Sequence, residues 1–200
     1  MKRKLIVVTA LLLMALGIRA QQEEGTLSMQ FRGGLNLATF DDADKWKAGL
    51  CLGAELEYMA TDYFGVSGGV TFSQQGGTYD DEYGKQTISM DFVNIPIMAE
   101  YYVLPGLALK AGVQPGFNMK TRAKEDGVDV DVEQLFQTTG DSDFKLNKFD
   151  LSIPVGISYE YRRIVLDARY FWGLLKPIDF NPFYNRVFQV TVGFKLPTSF

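Results

Sequence analysis

The chain has 200 residues, 46% of them hydrophobic, 14% aromatic and 22% charged, with a net charge of −4, which is the composition of one folded domain with a short leader. It has no histidine and one cysteine, Cys51, which excludes His–metal sites, Ser–His and Cys–His pairs, cysteine zinc clusters and intrachain disulfides. Glycine is one residue in ten, at 20, without a collagen period.

The first segment reads as a secretory signal peptide over residues 1–20. Lys2, Arg3 and Lys4 form a basic start, Leu5 to Ile18 is an apolar run too short for the roughly twenty residues of a spanning helix, and small Ala20 marks the cleavage point. No cysteine follows that point, so a lipoprotein anchor is not expected. Cleavage would remove Lys2, Arg3, Lys4 and Arg19 while all 24 acidic residues stay, doubling the net negative charge of −4. A chain so acidic has no basic face for nucleic acid.

Residues 21–200 show strand periodicity, with apolar side chains alternating at period two. The first strand carries Met29, Phe31, Gly33, Leu35 and Leu37 on one face and Gln30, Arg32, Gly34 and Asn36 on the other. The second sets Ala48, Leu50, Leu52, Ala54, Leu56 and Tyr58 against Gly49, Cys51, Gly53, Glu55 and Glu57. The third sets Phe64, Val66, Gly68, Val70 and Phe72 against Gly65, Ser67, Gly69, Thr71 and Ser73. A fourth runs from about Thr87 to Val103, its apolar parity slipping from Ile88, Met90 and Phe92 to Val93, Ile95, Ile97, Ala99 and Tyr101. That slip predicts a bulge near Pro96, which cannot donate to a ladder. The fifth alternates from Leu107 to Asn118, the sixth from Phe149 to Tyr161, the seventh from Arg163 to Trp172 and the eighth from Val187 to Leu196, with Phe200 in the same parity.

The second face is small and polar, rich in Gly, Ser, Thr and Asn, as the inside of a narrow barrel must be. The large apolar face would then meet lipid. Several strands match the nine to eleven residues or so that cross a membrane at a tilt. Connections alternate between long (Thr39–Trp46, Gln75–Gln86, Met119–Lys148, Leu174–Arg186) and short (Ala60-Thr61-Asp62, Leu104-Pro105-Gly106, Arg162). Outer-membrane barrels alternate in this way, with both termini in the periplasm and long loops outside. Tyr58, Tyr63, Phe64, Tyr101, Tyr102, Tyr159 and Tyr161 would form one interfacial girdle, and Phe40, Trp46, Phe72, Phe149 and Trp172 the other. The expected fold is therefore all-β, an eight-stranded antiparallel up-and-down transmembrane barrel.

Five short stretches carry a family resemblance: Gly33-Gly34-Leu35-Asn36, Val70-Thr71-Phe72-Ser73-Gln74-Gln75-Gly76-Gly77, Phe92-Val93-Asn94-Ile95-Pro96-Ile97, Leu109-Lys110-Ala111-Gly112-Val113-Gln114-Pro115-Gly116, and Arg169-Tyr170-Phe171-Trp172-Gly173-Leu174. They resemble the PorT-like small outer-membrane β-barrels of Bacteroidota, over almost the whole mature chain. The resemblance implies the same barrel in the outer membrane of a Gram-negative bacterium after Sec-type export. Some members of the family are linked to protein secretion. It supplies no catalytic residues.

The candidate chemical groups are the inward charges Arg32, Glu55, Glu57, Glu100, Lys110, Asp150, Glu160, Arg163, Asp167, Arg169 and Lys195. They read as a structural salt-bridge network, because a lone charge inside a narrow barrel is costly. No catalytic, cofactor-binding or metal residue is expected, and no cofactor. The acidic stretch Lys124 to Glu133 lacks the order of a calcium loop, and its alternating Asp and Val read as a β-ribbon beyond the membrane. Gly76 to Lys85 lacks the spacing of a phosphate loop. Cys51 falls on the inward face as an inert small residue. The expected function is a non-enzymatic scaffold or surface-binding barrel with long external loops. Its expected partners are membrane lipid, lipopolysaccharide and a surface or envelope protein. The alternatives are a soluble lipocalin-like carrier of a small apolar ligand, a porin-like channel, or a secretion accessory.

Overall fold

A computed structural model describes residues 23–41, 43, 45–81, 84–125, 128–131, 148–175 and 184–198. The proposed leader lies outside these residues. The strands are β1 (Leu27–Phe40), β2 (Lys45–Met59), β3 (Phe64–Asp81), β4 (Gly84–Asn94), β5 (Ile97–Leu104), β6 (Leu107–Glu125), β7 (Val128–Asp131), β8 (Phe149–Tyr161), β9 (Ile164–Gly173) and β10 (Asn185–Thr198). Each barrel strand pairs antiparallel with its neighbours, and β1 pairs with both β2 and β10, which closes the ring. β4 and β5 lie end to end between β3 and β6, so the ring has eight strand positions. β7 pairs only with β6 and stands off the ring. Closure leaves no open edge in the wall, the condition for a β-structure to sit in hydrocarbon.

The faces of the wall are inverted relative to a protein folded in water. Leu35, Leu50, Leu52, Val70, Leu109, Leu166 and Val192 point outward and are exposed, Leu52 by 62%. Arg32, Glu55, Glu100, Lys110, Asp167 and Arg169 are buried inside. Exposing this apolar area to water would cost about 25 cal/mol per Å², so the outer wall needs lipid. A soluble carrier with an apolar cavity is ruled out by the same inversion.

The fourth strand corrects the expected bulge. Its inward parity runs unbroken through Met90, Phe92, Asn94, Pro96, Met98 and Glu100, all buried. What changes is the chemistry inside: an apolar plug at one end gives way to polar residues further along. Pro96 interrupts the ladder without shifting register, and its carbonyl still accepts from the Gly69 amide at 3.2 Å. The bulge in this region falls on β6, where Asp91 pairs with Lys120 but Phe92 pairs with Asn118, leaving Met119 extra.

Of the expected long loops, Gln75–Gln86 is mostly strand, and Met119–Lys148 is strand over 119–125 and 128–131, its residues 132–147 lying outside the described ones. β3 and β4 pair out to Asp81 and Gly84, and β6 continues to Glu125 and pairs with β7. These pairings lift two β-ribbons beyond the barrel wall at one end, here the ribbon end. The alternating Asp–Val stretch is thus the ribbon strand that its pattern predicts. Between Phe40 and Lys45 the chain turns in four residues, so that connection is short. Two expected girdle residues are inside instead: Phe40 and Tyr102 are buried, whereas Trp46, Phe72, Phe149, Trp172, Tyr58, Tyr63, Phe64, Tyr101 and Tyr161 face outward. Phe40 and Tyr102 sit on the inward parity of their strands, where proximity to a strand end carries no information.

Inward glycines let the wall close tightly. A side chain at Gly34 would strike the Val190 carbonyl and lie 2.7 Å from the Thr191 Cα. At Gly156 it would lie 2.9 Å from the Arg169 Cγ, so this glycine makes room for the buried arginine. Gly34→Val is expected to force the β1–β10 seam apart and cost about 1–3 kcal/mol. A urea-unfolding midpoint of the refolded barrel equal to that of the parent would refute that close approach.

Candidate functional site

The barrel interior gathers most of the titratable side chains, and period-two alternation puts them there. Of the expected inward charges, Arg32, Glu55, Glu57, Glu100, Lys110, Asp150, Glu160, Asp167, Arg169 and Lys195 are buried. Arg163 is exposed. It sits in the tight β8–β9 turn, where Arg162 adopts a φ of 60° and the strand alternation no longer applies.

The middle of the interior is built around Arg169 on β9, which is fully buried. Its guanidinium donates from Nη1 and Nη2 to the two carboxylate oxygens of Glu55, both at 2.9 Å. It also donates from Nε to Asp167 Oδ1 at 2.8 Å and from Nη2 to Asp167 Oδ2 at 3.0 Å. Arg32 adds a contact to Glu55 at 3.0 Å. Lys110 bridges Glu100 at 2.9 Å and Asp167 at 3.3 Å. Ser67 Oγ donates to Glu100 at 2.5 Å. Planar fork pairing of this kind satisfies several carboxylate lone pairs at once.

A second group lies toward the other end of the barrel, the end of the tight turns. Lys195 Nζ contacts Glu57 at 2.6 Å and Glu160 at 2.7 Å, and Tyr102 Oη donates to Glu57 at 2.6 Å. Toward the ribbon end the interior becomes neutral. Arg32 donates to Gln189, Gln189 to Asn36, Asn36 to Ser73, Gln75 to Ser73, and Asn185 to Gln75. Gln75 and Asn185 belong to this chain although both fall in stretches expected to be loops. The parity of Ser73 and Gln189, carried two or four residues further, was the available signal.

Apolar side chains close both ends. Phe40, Met90 and Phe92 form one plug at the ribbon end, and Ala38, Phe171 and Val187 another. Met59, Tyr102 and Ala108 close the turn end. The described interior is thus filled and capped, as an eight-strand barrel's small radius requires. Glu55, Glu57, Glu100, Glu160 and Asp167 already face arginine, lysine or tyrosine, so the geometry positions these charges against each other rather than toward a substrate, while Asp150 is held, among the described residues, only by the Leu151 backbone amide. Cys51 is buried and unbridged.

At the base of the ribbons an ion pair crosses between strands. Arg122 Nη2 lies 2.7 Å from Asp91 Oδ2, and the register sets Asp131 opposite Arg122 and Asp129 opposite Lys124. Arg186 makes a two-point contact with Asp41, at 2.7 and 3.1 Å, on the exposed rim.

A family model described as outer membrane protein beta-barrel domain matches residues 19–179. Three solved structures share the fold at low identity. Ail, the attachment invasion locus protein of Yersinia pestis, is 16% identical with a TM-score of 0.51, covering 86% of this chain and 99% of its own. Neisserial surface protein A is 13% identical with a TM-score of 0.53, covering 88% of this chain and 100% of its own. The outer membrane protein OprG from Pseudomonas aeruginosa is 15% identical with a TM-score of 0.50, covering 89% of this chain and 100% of its own. No curated protein sequence matches the chain.

Proposed function

We propose, from the premise that this chain belongs to the outer membrane protein beta-barrel domain family, that it is a non-conducting, non-enzymatic scaffold displaying its ribbons at the cell surface. One observation carries the reading: the described interior is filled by charges, most of them paired, and plugged at both ends, which leaves the ribbons as the surface open to partners. Residues 1–20 act as the signal for Sec-type export and are removed. The tight turns then face the periplasm, and the β3–β4 and β6–β7 ribbons face outward. The quoted motifs favour a PorT-like barrel of Bacteroidota. Outer-leaflet lipid and lipopolysaccharide surround the wall, and the segment between β6 and β8 engages a surface or envelope protein. The structure of Ail in complex with the heparin analogue sucrose octasulfate supports a barrel of this fold taking a ligand.

The test replaces residues 126–147 by a short turn. The shortened barrel is expected to remain in the outer membrane and to keep the gel shift between unboiled and boiled samples, while failing to rescue the envelope phenotype of a strain lacking the gene. Full rescue would overturn the display role. Recovery of the parent protein in the soluble periplasmic fraction would overturn the membrane placement of the chain.

A further inference from the structure

The buried charges balance in the middle of the interior but not at the turn end, nor at Asp150, which lies apart with no ion-pair partner among the described residues. Arg32 and Arg169 face Glu55 and Asp167, two cations against two carboxylates. Lys110 faces Glu100 and leans toward Asp167. Lys195 alone then serves both Glu57 and Glu160, at 2.6 and 2.7 Å. The surrounding strands supply no further cation to this pair among the described residues. β5 contributes Tyr102 and β6 contributes Lys110, already held by Glu100. The charged groups on β9, Asp167 and Arg169, hold each other, and Asp167 also meets Lys110. β1 brings Ser28 and Gln30, and β3 brings Ser67, which donates to Glu100. Met59 and Ala108, both fully buried, pack against Tyr102 beside this group.

An uncompensated carboxylate in such a place is costly, and the usual outcome is that it takes up a proton. We propose that the turn end of the barrel interior is a proton-binding site, with Glu160 as the carboxyl that holds the proton. Glu57 receives two donors, the Lys195 ammonium and the Tyr102 hydroxyl, and stays ionised. Glu160 receives only the ammonium from side chains, so it is the less stabilised anion of the two. Protonation of Glu160 leaves one cation facing one anion. The site therefore couples the folded barrel to periplasmic pH: a proton bound more tightly in the folded state contributes stability at low pH that is lost as pH rises.

The test compares the refolded full-length barrel with E160Q and E57Q by urea unfolding, from about pH 4 to about pH 9. E160Q keeps the shape of the neutral carboxyl. It is expected to match the parent at the acid end and exceed it at the alkaline end, the ratio of their unfolding constants growing up to about tenfold per pH unit. Asp150, buried elsewhere in the interior, contributes equally to both proteins, so the difference isolates Glu160. E57Q is expected to be weaker throughout. Infrared spectra at neutral pH should show a stronger protonated carboxyl stretch in the parent than in E160Q, the part due to Asp150 being common to both. An E160Q barrel that is weaker at alkaline pH, or one whose spectrum matches the parent's in that band, would overturn the proposal.

Discussion

Arg169→Met is expected to cost about 3–5 kcal/mol of barrel stability, the usual penalty for removing one partner of a buried ion pair. The guanidinium is fully buried and holds Glu55 and Asp167 through four hydrogen bonds. Without it, Arg32 and Lys110 are left to neutralise two carboxylates from positions that other partners also use. The measurement is the urea midpoint of protein refolded in detergent, read from the shift between folded and heat-unfolded bands on a gel. A variant that also carries Glu55→Gln and Asp167→Asn should recover much of the loss, because it removes the stranded charges along with the arginine. A loss in the single variant below about 1 kcal/mol would mean that water, not the arginine, solvates these carboxylates.

The second large effect belongs to the outer wall. Leu52 is 62% exposed and pairs with Gly33 and Phe72 in mid-strand, so it faces the hydrocarbon. Leu52→Arg is expected to cost about 2–4 kcal/mol when the barrel folds into a bilayer, the range for a charge near the midplane. Folding into lipid vesicles across a denaturant series would measure it. The same change on a barrel surrounded by water would be neutral or would improve solubility. A neutral result would therefore overturn the lipid-facing assignment even with every strand in place.

Period-two alternation is a local property, and it is why so much was legible from sequence. Met29 to Leu37, Ala48 to Tyr58 and Phe188 to Leu196 declare both their strands and their faces. The small, polar second face declares that the apolar one turns away from the enclosed space. The charged interior was legible in the same way, residue by residue, with Arg163 lost only because a turn ends the alternation. The outer end of β3 was not legible. Ser73-Gln74-Gln75-Gly76-Gly77-Thr78 has the composition of a loop, and only its backbone pairing with β4 makes it strand.

The sequence by itself determined the strand count of the ring, the inversion of its faces and the absence of imidazole chemistry, since each follows from residue type and spacing along the chain. Only the tertiary structure decided which charges meet. Glu55 and Arg169 are separated by 114 positions, and Glu57 and Tyr102 by 45. No spacing rule relates such residues, because their contact depends on the register between strands and on closure of the ring. The same holds for the plugs of Phe40, Met90 and Phe92 and of Met59, Tyr102 and Ala108. An apolar residue on an inward face looks like an exception in one strand. It becomes a cap once the other strands bring its counterparts to the same height.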